Sequence, residues 1–352
     1  MNGGERLRLI ATLLVAAAAI AALIVLAFFE PKLVAAGWLI GFLFWSQVPI
    51  GSLVLSMIYV LTGGRWGESL RPVLLPATAS VPWLFIAIVP VFLAIPLLYP
   101  WTVPNAAVKP DVAADYLNMP FFIVRSLLAL AVFSAFSLLL RRSGGRFALL
   151  AAGLGMLLYG IMISSVAIDW FLTLEPPFVS SSFGTSVGIM QLVTAMAWAA
   201  LLAPERPGDP VAGDIGGLLL AFLLGITYVD FMALLVLWYG DLPAKVFWFV
   251  ERDHFPWTAL AGAWFVLGSV APIFALFLAR VRNSRRALRV VATSVFAGSA
   301  LYIVYLVAPH FGVGCLIPAA LALLAIGLIQ SVMSAGASLA LSRREAVSAH
   351  GC

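Results

Sequence analysis

Residues Ile161–Pro177 read IMISSVAIDWFLTLEPP, an apolar run that carries Ser164, Ser165, Asp169 and Trp170 and stops at Glu175-Pro176-Pro177. Read back to residue 147, the run is long enough to cross a hydrocarbon core of about 30 Å at about 1.5 Å per residue. A carboxylate in such a helix costs roughly 2.5–3.5 kcal/mol at the membrane centre and less toward the rim. Asp169 therefore either faces a partner or a wet cavity, or it sits at headgroup level and serves only a loop.

The rest of the chain has the same character. Hydrophobic residues make up 63 % of the 352, charged residues 10 %, and the mean hydropathy is +1.10. Such values belong to an all-α, polytopic integral membrane protein and not to a soluble mix. Residues 1–352 read as a single membrane domain with about ten transmembrane helices. The expected spans are 9–29, 33–61, 79–99, 120–140, 147–172, 183–203, 215–239, 256–279, 287–308 and 313–340. Arg6 and Arg8 before an Ala-rich run imitate a signal peptide, but the apolar stretch exceeds the roughly 7–15 residues of a signal core. It is read as the first helix.

The formal charge of +5 is no nucleic-acid signature, because the basic residues lie in short connections between spans. Their distribution sets an orientation. Alternate connections hold Arg6, Arg8, Arg65, Arg71, Arg141, Arg142, Arg146, Arg206, Arg280, Arg282, Arg285, Arg286, Arg289, Arg343 and Arg344. The opposite half keeps Lys32, Lys109, Arg125, Lys245 and Arg252. This bias puts both termini in the cytoplasm. The outer connections 99–119 and 240–255 are long and rich in Pro and aromatic residues, as interface anchors or a docking surface for partners would be.

Ligand types limit the cofactors. Cys315 and Cys352 cannot supply the four thiolates of an iron–sulfur cluster. His254, His310 and His350 fall in a loop, at a helix end and in the tail, so haem held by paired histidines within a span is unsupported. No haem, iron–sulfur cluster or metal is expected in this chain. Within the spans, Pro49, Pro82, Pro90, Pro96 and Pro272 are expected to kink helices. Gln47, Gln191 and Gln330 read as hydrogen-bonding glue between helices. Gly327, Ser331, Ser334 and Ser338 read as a close-packing face.

Three charges fall at similar depth. From the helical rise, Asp230 lies about 13 Å below the outer rim, Arg125 roughly 8 Å and Asp169 roughly 5 Å. Arg125 pairs with Asp169 or with Asp230, and the third charge is left to line a polar pocket or carry protons. The assignment adopted is Asp169 as the partner of Arg125 and Asp230 as the proton-exchanging group. Ser165, Thr227 and Tyr228 are expected to extend a hydrogen-bonded path from it.

Four stretches carry a family resemblance: YVLTGGRWGESLR (59–71), DYLNMPFFIVR (115–125), IDWFLTLEPPFVSSSFG (168–184) and WYGDLPAKVFWFVER (238–252). Together they resemble the second quinone-binding-type membrane subunit of alternative complex III, in the NrfD-like polysulfide-reductase superfamily. The resemblance implies two four-helix bundles plus two flanking helices in a bacterial inner membrane. It implies a role in quinol oxidation, with quinone bound near the outer face by Arg125, Asp169, Asp230, Ser165 and Tyr228. Electrons would be carried by partner subunits, namely an iron–sulfur or molybdopterin-like protein and a multihaem cytochrome c, beside a second NrfD-like subunit. Ala244-Lys245 stands where that family leads one to expect acidic residues, and no histidine is available inside the membrane as a proton acceptor. A secondary transporter of a small solute would also use broken helices and buried charges. A purely structural anchor would need no buried carboxylate.

Overall fold

The computed structural model describes residues 3–103, 110–142, 144–176, 178–204, 211–240 and 243–350. Cys352, Lys109 and Arg206 lie outside the described residues. Among the described residues, ten helices are long and apolar enough to cross a membrane: α1 (Gly3–Ala27), α2 (Pro31–Thr62), α3 (Arg65–Leu93), α4 (Met119–Arg142), α5 (Gly145–Leu174), α6 (Phe183–Leu202), α7 (Ala212–Tyr239), α8 (Trp257–Phe277), α9 (Arg285–Phe311) and α10 (Val313–Leu339). The chain is an all-α polytopic membrane protein, and no strand occurs among the described residues.

The helices form two groups. α2–α5 supply most of one buried core, to which α6, α9 and α10 also contribute, and α6–α9 supply most of a second. α2 runs along the seam against α6, and 72 % of its apolar window is buried inside the protein. α1 and α10 pack on each other and on α2, at the flank of the first group. In α1 that share falls to 17 %, and Leu14, Ile24 and Val25 point outward. A helix apolar on every face suits a bilayer, where lipid covers what protein does not.

Two expectations change in detail. The helical run that contains the third span begins at Arg65, ahead of the expected 79. Gly63 and Gly64, at φ +71° and +109°, turn the chain directly out of α2, and residues 65–78 then bury Leu70 and Leu74 while Arg71 stays exposed. A left-handed turn of this kind favours glycine. Beyond it, α3 breaks into short pieces around Pro82, Pro90 and Pro96. Pro49, by contrast, sits inside α2 without interrupting it. In α8, residues Val266–Val270 form a π-helical turn just before Pro272.

The buried amides tie helices together. Thr194 donates to Gln47 Oε1 at 2.7 Å, Tyr159 donates to Gln191 at 2.8 Å, and Gln330 donates to Ser80 at 3.1 Å. Gly327 lets the Trp45 ring lie flush on α10, where the indole donates to the Leu323 carbonyl at 2.7 Å. The arginine-rich connections meet at one end: Arg65 approaches Asp214, Arg285 donates to Ser69 and Arg289 donates to the Ala203 carbonyl. The aromatic connections and the three deep charges lie toward the other end.

Candidate functional site

The three deep charges do not share one site. Arg125 on α4 grips Asp169 on α5 with two parallel bonds of 2.8 Å, and its third nitrogen donates to the Tyr116 carbonyl at 2.9 Å. The guanidinium is held between the rings of Tyr116 and Phe121, at 3.8 and 4.3 Å from their centroids. This fork-and-stack arrangement suits Arg and not Lys. Burial, followed by the Asp169 charge, pushes the Tyr116 phenol up to about 12. It remains a donor throughout the physiological range. Asp169 is 1 % exposed and sits beside Trp170, whose indole donates to Ser126 at 3.0 Å. The pair is a packed lock between α4 and α5.

Asp230 lies in the second bundle, on the wall of a cavity of about 530 Å³ between α6, α7, α8 and α9. Ile226, Thr227, Asp230, Phe231 and Leu234 put one face of α7 along it. Tyr302 on α9 donates to Asp230 Oδ2 at 3.1 Å, and Ser186 on α6 lines the same wall. Among the described residues Asp230 has no cationic partner. The π-turn of α8 brings Ser269 to within 2.6 Å of Thr227 Oγ1, adding a second pair of hydroxyls to the wall. Such insertions recur at functional sites because they reorient a side chain without ending the helix. Gly268 meets Gly298 backbone to backbone at this level, so α8 and α9 approach closely beside the cavity.

The remaining wall is mostly aromatic and aliphatic, with Phe178, Phe183, Trp248, Trp264, Phe265 and Leu306, and Ser180, Ser182 and Tyr305 add further hydroxyls. Phe231, Leu234 and Phe265 in this wall are 57 %, 43 % and 46 % exposed, so the cavity is open between α7 and α8. At the end nearest the aromatic connections it is covered by the short helix Pro243–Val250, through Trp248 and Phe249. An ion pair that sequence reasoning missed fastens this cover. Arg252 bonds both oxygens of Glu175 at 2.5 and 3.3 Å, donates to the carbonyls of Trp248 and Leu306, and stacks 3.7 Å from the Trp248 ring. Arg252 is only 2 % exposed. Its position in a polar-looking connection gave no sign of burial.

Two expected site residues lie elsewhere. Tyr228 is 63 % exposed and does not line the cavity. It is two residues from Asp230, a rotation of about 200° on a helix, so it points to the opposite side. Ser165, one turn before Asp169 on α5, is half-buried and likewise absent from the cavity wall. Thr227 does reach the wall, as its three-residue spacing from Asp230 requires. Tyr302 and Ser186 were not anticipated. Among the described residues no group of three His, Cys, Asp or Glu side chains is placed to hold a metal ion.

The chain matches no protein-family model, and no curated protein matches its sequence.

Proposed function

We propose that this chain is a quinone-binding-type membrane subunit of a respiratory quinol-oxidising complex of the alternative complex III kind. On this reading the Asp230 cavity holds the quinone. The observation that carries it is the combination in one cavity of an apolar opening between α7 and α8 and a polar end. Ligand sites of this size are mostly apolar with a few convergent polar groups. Here an isoprenoid tail would lie against Phe231, Leu234 and Phe265. The headgroup carbonyls would meet the hydroxyls of Tyr302, Ser186, Thr227 and Ser269, with the Asp230 carboxylate as proton acceptor. A polar solute carried between two aqueous phases has no use for a wall of this kind, which disfavours the transporter reading. Electrons would pass through haem and iron–sulfur partners, and Arg125–Asp169 would serve assembly.

Asp230→Asn in the assembled complex is the direct test. It removes the charge and keeps the shape, so copurification of partner subunits should be unchanged. A hydrogen bond to a charged group contributes roughly 1.5–3 kcal/mol, which corresponds to about 10- to 150-fold in affinity. Quinone binding or quinol-dependent turnover should fall within that range, while Tyr228→Phe should match the parent. Full quinol-dependent electron transfer and proton translocation in Asp230→Asn would remove the assignment.

The same reading places both termini in the cytoplasm of a bacterial inner membrane and the cavity toward the outer leaflet. The lysine and arginine bias supports it. Cys315 is fully buried, which leaves Cys352 as the reactive thiol. A membrane-impermeant maleimide should label Cys352 in inside-out vesicles and leave it untouched in intact spheroplasts. Labelling from outside would reverse the orientation.

A further inference from the structure

A second, much smaller cavity lies behind the Asp230 wall, on the side away from that opening. Its volume of about 10 Å³ matches the space needed by one water molecule. It is lined by Gln47, Ser186 and Tyr302 together with Phe171, Phe183, Met190 and other apolar side chains. Ser186 and Tyr302 line both cavities, and Tyr302 donates to Asp230 on the larger one. Gln47 stands on α2, across the seam in the other bundle, and is 1 % exposed. One end of its amide takes the Thr194 hydroxyl, and its Nε2 finds no acceptor among the described residues. Turning the amide over would only exchange the two ends, and one polar atom would still lack a protein partner. A buried donor in that position is costly unless something meets it.

The geometry points to a bound water as what meets it: we infer that this cavity is a water site, held by Gln47 from one bundle and by Ser186 and Tyr302 from the other. A buried water needs two to four polar partners, and these three residues supply them. The water continues the hydrogen-bond network of Asp230 across the seam to Gln47 and Thr194. It gives the carboxylate cluster an outlet on the protein side, opposite its opening between α7 and α8. Gln47 is then a positioning residue for that cluster, although it lies in the other bundle and does not line the large cavity. The site stands whatever ligand fills the large cavity, because it depends only on the amide and the two hydroxyls.

Two measurements on the full chain in lipid nanodiscs test it. An experimental structure that resolves ordered water should show density within hydrogen-bonding distance of the Gln47 amide and of Ser186 or Tyr302, and Gln47→Leu should abolish it. Thermal unfolding of Gln47→Leu, Ser186→Ala and the double variant should show losses that do not add, the double falling less than the two singles together. Gln47 and Ser186 share no direct hydrogen bond but do share a cavity wall, so the coupling supports a bridge only together with the water density. A cavity without density overturns the inference, and so does density accompanied by additive losses.

Discussion

Asp169→Asn is expected to lower the stability of the isolated chain by about 3–5 kcal/mol, the usual result of removing one partner from a buried ion pair. The substitution keeps the side-chain volume and removes the charge that Arg125 faces. Arg125 cannot lose its proton, so its guanidinium stays charged between two rings with the Tyr116 carbonyl and one neutral amide oxygen as its acceptors. A loss of this size is a large share of the 5–15 kcal/mol that holds a typical folded protein together. The expected readouts are a fall in apparent melting temperature in nanodiscs and reduced recovery with partner subunits. Arg125→Lys should lose part of the same stability, because it keeps the charge but gives up the fork and the stacking. Parent-like stability in Asp169→Asn would mean that the pair contributes little and that α4 and α5 are held by their apolar faces.

Arg252→Ala is expected to act as strongly, but on the cavity. Removing it leaves Glu175 buried without its cation, at about 3–5 kcal/mol by the same reasoning. It also frees Trp248, which Arg252 fixes through its carbonyl and its ring. Trp248 forms cavity wall and stacks on Phe178, another wall residue, at 5.1 Å between centroids. The cover should therefore loosen before the bundle melts. Faster proteolytic cleavage around residues 243–255 and weaker ligand binding are the expected signs, with Glu175→Gln giving the same pattern. Stability lost uniformly, with cleavage and binding unchanged until global unfolding, would make the pair an ordinary structural tie.

Helix number and type were legible because the bilayer imposes them. Every backbone polar group must be satisfied within the span, so long apolar runs have one solution. The interhelical roles of Gln47, Gln191 and Gln330 were legible for a related reason, since a buried amide in hydrocarbon must find a partner. The choice of Asp169 for Arg125 required only that both lie near the same end of consecutive, antiparallel helices. Residues 65–78 were harder, because an amphipathic helix next to the membrane carries the charges that normally mark a connection.

By itself, then, the amino-acid sequence determined ten membrane helices, the separation of arginine-rich from aromatic connections, and the presence of deep carboxylates that need an explanation. Only the tertiary structure decided which of those carboxylates is locked and which lines a cavity. Asp169 and Asp230 look alike in sequence, each an acid deep in an apolar helix, and they differ in what the neighbouring helices present to them. One meets a guanidinium on α4; the other meets the Tyr302 hydroxyl on α9 and an open volume. The burial of Glu175 and Arg252 was likewise decided by packing, because 77 residues of chain separate them and nothing local reveals that they meet. Pairings at such distance in sequence depend on how whole helices stack, and the period of one helix carries no record of its neighbours.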